Sequence, residues 1–231
     1  MSSVIENIKQ RRSIRKYSST RVPREILNEI QEATQWAPSA HNAQPCRFII
    51  LTEKTSKKDL AIAMAKARTE DLIRNNVPLE LSQRITKASV QRFTNAPVLV
   101  IACITMADMT KYSDEQRQKN ERDLAIQSLG AAMENMLLAA HSKGLGACWF
   151  CAPIFCKDAV RKVLRIPEDV EPQALVAMGY PTEKPSEPLR KPFQDIFYFD
   201  YWSRKPQTSR NLRELSCLKA FYEAKVRFIM R

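Results

Sequence analysis

Two short stretches hold most of the side chains that could do chemistry. Residues 11–17, RRSIRKY, set four cations, Arg11, Arg12, Arg15 and Lys16, around the hydroxyl of Ser13. Residues 37–48, APSAHNAQPCRF, place Pro38 and Pro45 around small and amide-bearing residues before the chain turns apolar. Guanidinium groups pair with phosphate in a bidentate fork. A proline-stiffened loop carrying Asn and Gln amides offers fixed donors and acceptors to a polar ring. Together the two stretches suit a phosphorylated, planar, hydrogen-bonding ligand.

The rest of the chain narrows how such a ligand could be held. Only four glycines occur, Gly130, Gly144, Gly146 and Gly179, and neither G-x-G-x-x-G nor a Walker loop can be built from them. Phosphate must therefore be bound by side chains and helix ends. There is no G-x-S-x-G, no H-E-x-x-H and no carboxylate pair in an acid–base setting. The two histidines, His41 and His141, leave few options for a triad, and His41 reads as a loop residue beside the site. No catalytic side chain is assigned, and chemistry supplied by a cofactor outranks chemistry supplied by the protein. Cys148 and Cys151 form a C-x-x-C with Cys156 nearby, but no histidine has the spacing to complete a metal site, so none is expected. The motif follows GLGA and contains Trp149 and Phe150, so it reads as a strand end with structural thiols.

At 231 residues, with 44% hydrophobic and 27% charged residues, the chain has the composition of an ordinary globular protein. Net charge is +12, and residues 204–231 contribute half of it, with eight Lys/Arg against two Glu. No zinc-finger, RRM or KH pattern accompanies the charge, so nucleic acid is not expected as a partner. The longest apolar run, residues 96–107, is too short to cross a bilayer, and the N-terminal residues lack the apolar core of a signal peptide. A cytoplasmic location with reduced cysteines is the resulting expectation.

These side chains must be positioned by elements that periodicity predicts. Helices are expected over residues 3–10, 25–36, 57–66, 79–93, 123–142 and 155–164, and strands over 47–52, 97–104, 146–150 and 173–178. The helix at 123–142 is apolar round most of its circumference, which suits a central core or a subunit interface. The charged pair 57–66 and 79–93 reads as an excursion covering a site. Residues 182–192 are proline-rich and extended, and 212–229 have helical apolar spacing. The latter is read as a basic amphipathic helix that docks on protein, with membrane-surface contact as the lesser alternative. Strands alternating with helices indicate an α/β or α+β sandwich. The expected division is residues 1–203 and a C-terminal extension, 204–231.

Four stretches in order, RRSIRKY, APSAHNAQPCRF, GLGACWFCAP and LRKP, make residues 4–193 similar to the FMN-dependent nitroreductase family. The resemblance implies an α+β, three-layer α/β sandwich with a central mixed sheet flanked by helices, in an intertwined homodimer with FMN at the interface. By the same resemblance, Arg11 and Ser13 match positions holding the ribityl phosphate and ring edge, and Arg12 belongs to that group. Arg15 matches the cation near the pyrimidine end of the ring, and Arg190 and Lys191 match a late basic pair that closes on the phosphate. Pro38, Ser39, Ala40 and Asn42 match the loop that reaches the flavin from the second subunit. Phe150, Cys151, Ala152 and Pro153 match the turn behind the ring.

The stretches 148–158 and 171–181 look most like the branch that includes the flavin-binding domain of coenzyme deazaflavin ligases. Unlike in that branch, no ligase domain is expected ahead of residues 4–193, and a basic tail follows them. The implied function is an FMN-dependent oxidoreductase passing hydride in a ping-pong cycle. Its donor would be NAD(P)H or a reduced deazaflavin, and its acceptor a quinone, nitro compound or biosynthetic precursor. A non-catalytic flavin- or nucleotide-binding protein and a flavin-fragmenting, dimethylbenzimidazole-forming enzyme are the alternatives.

Overall fold

The structure is a computed structural model that describes residues 3–202. The expected helix at 212–229 and the boundary at 203–204 lie outside the described residues. Contacts divide the chain into two units, Met1–Pro185 and Ser186–Arg231.

The first unit runs α1 (Val4–Gln10), α2 (Arg24–Gln35), β1 (Cys46–Leu51), α3 (Lys54–Arg74), α4 (Leu79–Asn95), β2 (Val98–Thr105), α5 (Glu115–Ser142), β3 (Gly146–Phe150), α6 (Lys157–Leu164) and β4 (Val170–Gly179). The strands form one sheet in the order β1-β2-β4-β3. β2 explains why the fold has three layers. All eight of its residues are buried. Successive side chains point to opposite faces of a strand, so a continuous apolar run must be covered on both sides. Val98, Val100, Ala102 and Ile104 pack with Leu129, Met133 and Met136 of α5 and Leu27 and Ile30 of α2. Leu99, Ile101 and Cys103 pack on the other face with Leu60 and Met64 of α3, Phe93 of α4 and Val160 of α6. An α+β sandwich is the result.

The expectation of a mixed sheet is corrected. Every ladder is antiparallel, and among the described residues the parallel pairing is confined to a bridge between Ser13 and Ala147. β1 and β2 show the reason. Two helices, α3 and α4, join them, and the second brings the chain back to the end of the sheet where β1 stopped. Leu51 at the end of β1 therefore pairs with Leu99 at the start of β2.

Two helices run longer than their apolar pattern. α3 continues to Arg74, since nothing breaks it before Asn76, which has φ 61°, and Pro78. α5 begins at Glu115 because Asp114 caps it, accepting from the Arg117 N–H at 2.9 Å. At about 1.5 Å per residue the 28 residues of α5 span roughly 42 Å. Conversely, residues 152–155 form a 3-10 turn ahead of α6, and Phe155 is exposed. No helix among the described residues is long and apolar enough to cross a membrane.

In the second unit, residues 186–202 include a 3-10 turn, Phe193–Asp195. Tyr198 and Trp202 stack at 4.2 Å between ring centres.

Candidate functional site

The RRSIRKY segment is held in place along its length. α1 is closed at its start by a reciprocal pair, Ser3 N–H to Glu6 Oε2 at 2.8 Å and Glu6 N–H to Ser3 Oγ at 3.2 Å. Asn7 ties it to α5 by donating to the Leu138 carbonyl at 3.0 Å. Beyond Arg11 the chain is extended and lies against β3, with the Ile14 N–H donating to the Ala147 carbonyl at 3.0 Å. Ile14 is buried, so the alternation of an extended segment turns Ser13 and Arg15 to the opposite face. This approach depends on Gly146, where an added Cβ would stand 2.6 Å from the Cβ of Ile14. The Tyr17 hydroxyl donates to the Ala177 carbonyl at 2.9 Å, and Glu183 accepts from the backbone N–H groups of Arg15 at 2.6 Å and Lys16 at 3.1 Å.

The arginines of this segment are not equivalent. Arg12 turns back to the carbonyls of Lys9 at 2.6 Å and Arg11 at 2.9 Å, so it closes the end of α1. The Arg11 Nε lies 3.7 Å from Glu134 Oε1 of α5 and is buried without a hydrogen-bond partner. A buried guanidinium N–H that finds no acceptor costs free energy, and a phosphate oxygen would satisfy it. The field here is positive. His141 is pushed below its ordinary pKa first by burial, then by Arg11 and Arg12.

At the far end of β3, Phe150 meets the ring of Phe93 edge-on at 5.1 Å and the guanidinium of Arg92 at 5.9 Å. Cys151 is exposed and Pro153 buried within the turn that follows. Burial pushes the Cys103 thiol up to about 12 and the Cys46 and Cys156 thiols up to about 11. Cys148 is also raised by burial, against the pull of Arg15, Arg92 and the Ser13 hydroxyl. These four thiols stay protonated near neutrality and are poor nucleophiles.

Among the described residues, the loop between α2 and β1 holds three of the six non-glycine residues with positive φ. His41, Asn42 and Gln44 have φ of 54°, 53° and 48°, in the left-handed region that costs an L-residue roughly 1 kcal/mol or more. Its anchors are local and from α5. Ala40 N–H donates to Ser128 Oγ at 3.1 Å, Gln44 N–H to Ser39 Oγ at 3.0 Å, and His41 Nε2 lies 3.5 Å from Glu121 Oε1. Glu121 is buried, and its other oxygen has no hydrogen-bond partner. Pro38, Ser39 and Gln44 line a cavity of about 600 Å³ with Gln31 and Thr34 of α2 and Phe48 of β1. That volume suits a ring system.

The structure thus lays Ser13 against Ala147 of β3 and sets Arg11 beside Glu134 of α5, while the turn at Cys151, Ala152 and Pro153 follows the far end of that strand. It sets Pro38, Ser39, Ala40 and Asn42 at the other edge of the sheet, beside β1. Along α5, Glu121 beside His41 and Glu134 beside Arg11 are separated by about 20 Å of helix. Arg190 and Lys191 belong to the second unit and are exposed there. Sequence reading missed Arg92, Ser128, Glu121 and Glu183, because each sits in an ordinary helical or loop context and gains its place only through folding.

The Nitroreductase family profile matches residues 8–180. A provisionally named NADH dehydrogenase/NAD(P)H nitroreductase of Methanothermobacter thermautotrophicus is 32% identical over 184 residues, covering 79% of this chain and 79% of that protein. The NADH dehydrogenase of Thermus thermophilus is 28% identical over 212 residues, covering 81% of this chain and 91% of that protein. A provisionally named nitroreductase from Desulfovibrio desulfuricans, solved in complex with FMN, superposes with a TM-score of 0.66 at 26% identity, covering 88% of this chain and 99% of that one. A BluB-like flavoprotein from Clostridium difficile shares the fold, with a TM-score of 0.72 at 24% identity over 86% of this chain and 99% of that one. Profile, relatives and fold agree over the span that carries both motifs: the chain belongs to the nitroreductase family.

Proposed function

We propose that this oxidoreductase of nitroreductase type binds FMN and, as a homodimer, passes hydride from a reduced nicotinamide to a small organic acceptor such as a quinone or nitro compound. The observation that carries the reading is the buried Arg11 Nε without a hydrogen-bond partner, on a segment clamped against β3 beside Ser13 and Arg15. These residues fit FMN. Arg11 and the Ser13 hydroxyl would take the phosphate, and Arg15 would supply positive charge at the pyrimidine end of the ring. When bound, FMN supplies the hydride chemistry that no side chain of the site offers.

The chain's own part is to bind, orient and keep water out. Phe150 and the turn 151–153 would back the ring, and Pro38, Ser39, Ala40 and Asn42 would reach it from the partner subunit. Two observations support the second subunit. The two motifs stand at opposite edges of one sheet, and Val4, Ile5 and Ile8 of α1 and Trp36 are exposed apolar residues. Donor and acceptor would use the same space in turn, which is the structural basis of a ping-pong cycle. Likeness to the deazaflavin-ligase branch supports a biosynthetic precursor as acceptor and a reduced deazaflavin as an alternative donor.

The test is flavin retention. Losing a charge-assisted contact worth about 1.5–3 kcal/mol should weaken FMN binding by roughly ten- to a hundredfold in Arg11→Ala and in Arg15→Ala. Full flavin occupancy in both variants would refute the site assignment.

A further inference from the structure

The cavity between α2, β1 and α5 has a chemistry of its own. Phe48 of β1, Val100 of β2 and Met178 of β4 form its floor, and Leu27 and Ile30 of α2 and Met136 of α5 its walls. Val100, Met136 and Met178 are 3%, 4% and 1% exposed, so the cavity reaches into the core. An apolar cavity of about 150 Å³ already takes benzene. The 600 Å³ or so here gives room for fused rings. A phenyl ring and two thioethers in the lining favour an aromatic guest.

The polar part of the lining is short of donors. Thr34 is 4% exposed, and its hydroxyl donates to the Ile30 carbonyl at 2.7 Å, which leaves its oxygen lone pairs to accept. Gln31 Nε2 donates to the Leu27 carbonyl at 3.0 Å, and Gln44 Nε2 to Asn42 Oδ1 at 3.5 Å. The donors of these three side chains are thus largely committed within the protein, and what they still present is oxygen. Arg47 gives Nη1 to the carbonyls of Gln44 and Cys46 at 2.9 and 3.0 Å and Nη2 to Asp108 Oδ2 at 3.2 Å. That ion pair leaves the exposed end of the cavity without net charge, and the Cys46 thiol in the same lining is neutral, burial pushing it up to about 11.

We propose that this cavity binds an uncharged fused-ring aromatic molecule that carries an N–H or O–H donor, such as an aromatic carboxamide. The apolar floor takes the rings, and the oxygens of Thr34, Gln31 and Gln44 take the donor. A ring whose substituent only accepts, such as an ester, leaves the Thr34 oxygen unmatched. An ionised carboxylate would shed its water among acceptor oxygens, which costs more than the site returns. The site shares Pro38 and Ser39 with the residues assigned to the flavin, but none of Arg11, Ser13 and Arg15 lines it, so the proposal does not depend on the flavin reading.

The experiment compares 2-naphthamide, methyl 2-naphthoate and 2-naphthoate, which share the rings and differ in donor and charge. Isothermal titration calorimetry on the purified protein should show the amide binding roughly two- to tenfold more tightly than the ester, the worth of one neutral hydrogen bond, and the anion binding more weakly than either. Thr34→Val keeps the shape and removes the buried oxygen, and it should lower the amide-to-ester ratio about twofold or more. Ala132 lines the cavity from α5, so Ala132→Leu should fill part of it, abolish binding of amide and ester alike, and leave Tm unchanged or raised. If Ala132→Leu does not fold, the ratio in Thr34→Val decides. No binding of the amide, an amide no tighter than the ester, or a ratio unmoved in Thr34→Val would overturn the proposal. So would amide binding that survives in folded Ala132→Leu, or displacement of the amide by FMN, since either would put the amide elsewhere.

Discussion

Gly146→Ala tests whether the cation-bearing segment depends on its close seat against β3. The added Cβ would meet Ile14 Cβ at 2.6 Å, Cγ1 at 2.7 Å and Cγ2 at 2.7 Å. Carbon atoms rest at about 3.5–4.0 Å, so the overlap is about 1 Å and involves a backbone-fixed atom that no rotamer change can move. If the segment holds its place, the overpacking should cost about 1–3 kcal/mol. If it yields, the Ile14 N–H to Ala147 hydrogen bond is lost at about 0.5–1.5 kcal/mol, and Ser13 and Arg15 move with it. For a chain of this size, 1–3 kcal/mol corresponds to roughly 2–12 °C in Tm.

FMN affinity by fluorescence quenching and Tm by calorimetry, measured on the same variant, separate the two responses. At least one should change, and a loss of affinity of about tenfold is expected where the segment yields. A double-mutant cycle locates the cause. Ile14→Gly removes all three clashing atoms, whereas Ile14→Ala leaves the 2.6 Å contact. The Gly146→Ala cost should therefore shrink in the glycine background and persist in the alanine background. An unchanged Tm and FMN affinity, or an equal cost in both backgrounds, would refute the reasoning.

Three further outcomes are expected. Glu171 joins β4 to Arg122 of α5 through both oxygens, at 2.6 and 3.2 Å, and to Lys157 of α6. Burial alone would raise its pKa, but the Arg122 and Lys157 hydrogen bonds prevail and hold it at about 2 against an ordinary 4.5. A folded pKa below the unfolded one stabilises above pH 4.5 and ceases to do so as pH falls towards 2. With 22% of the side chain exposed, screening reduces the formal 3 kcal/mol or so to about 1–2. Glu171→Gln should therefore lower stability near pH 7 and flatten its acid limb in denaturant titrations. An unchanged acid limb would contradict the assignment. Ser128→Ala removes the acceptor of the Ala40 N–H and should loosen the 37–44 loop, at a cost of about 1 kcal/mol, with weaker FMN binding and faster amide exchange at Ala40. Protected exchange there would show that the loop is held otherwise. Iodoacetamide followed by peptide mapping should label Cys151 well before Cys103 and Cys148, which are buried. Equal labelling would revive a redox role for the C-x-x-C.

Much of the fold was legible because burial leaves a period in the sequence. β2 is an unbroken apolar run because both its faces are covered, and α2 shows Ile26, Leu27 and Ile30 at helical spacing because one face is. The full lengths of α3 and α5 were not legible, since their outer turns face solvent and are set by Asn76 and Asp114 rather than by apolar pattern. The antiparallel sheet escaped as well, because strand direction follows from the path of each connection, such as the return of the chain through α3 and α4 to the end where β1 stopped, and no single residue records that path. Within the candidate site, the cation-rich segment 11–17 stood out by its residue types, while the individual assignments of Arg11, Ser13 and Arg15 came from the family resemblance. The role of Arg12 at the helix end could be read from neither, nor could the approach of Arg92 to the Phe150 ring.

The most direct test of the central claim is the visible spectrum of the purified protein, loaded with FMN if necessary, before and after anaerobic addition of NADPH. A flavin spectrum that bleaches on addition is the expected result, and it should recover when a quinone is supplied. Protein that takes up no FMN at any concentration would contradict the claim.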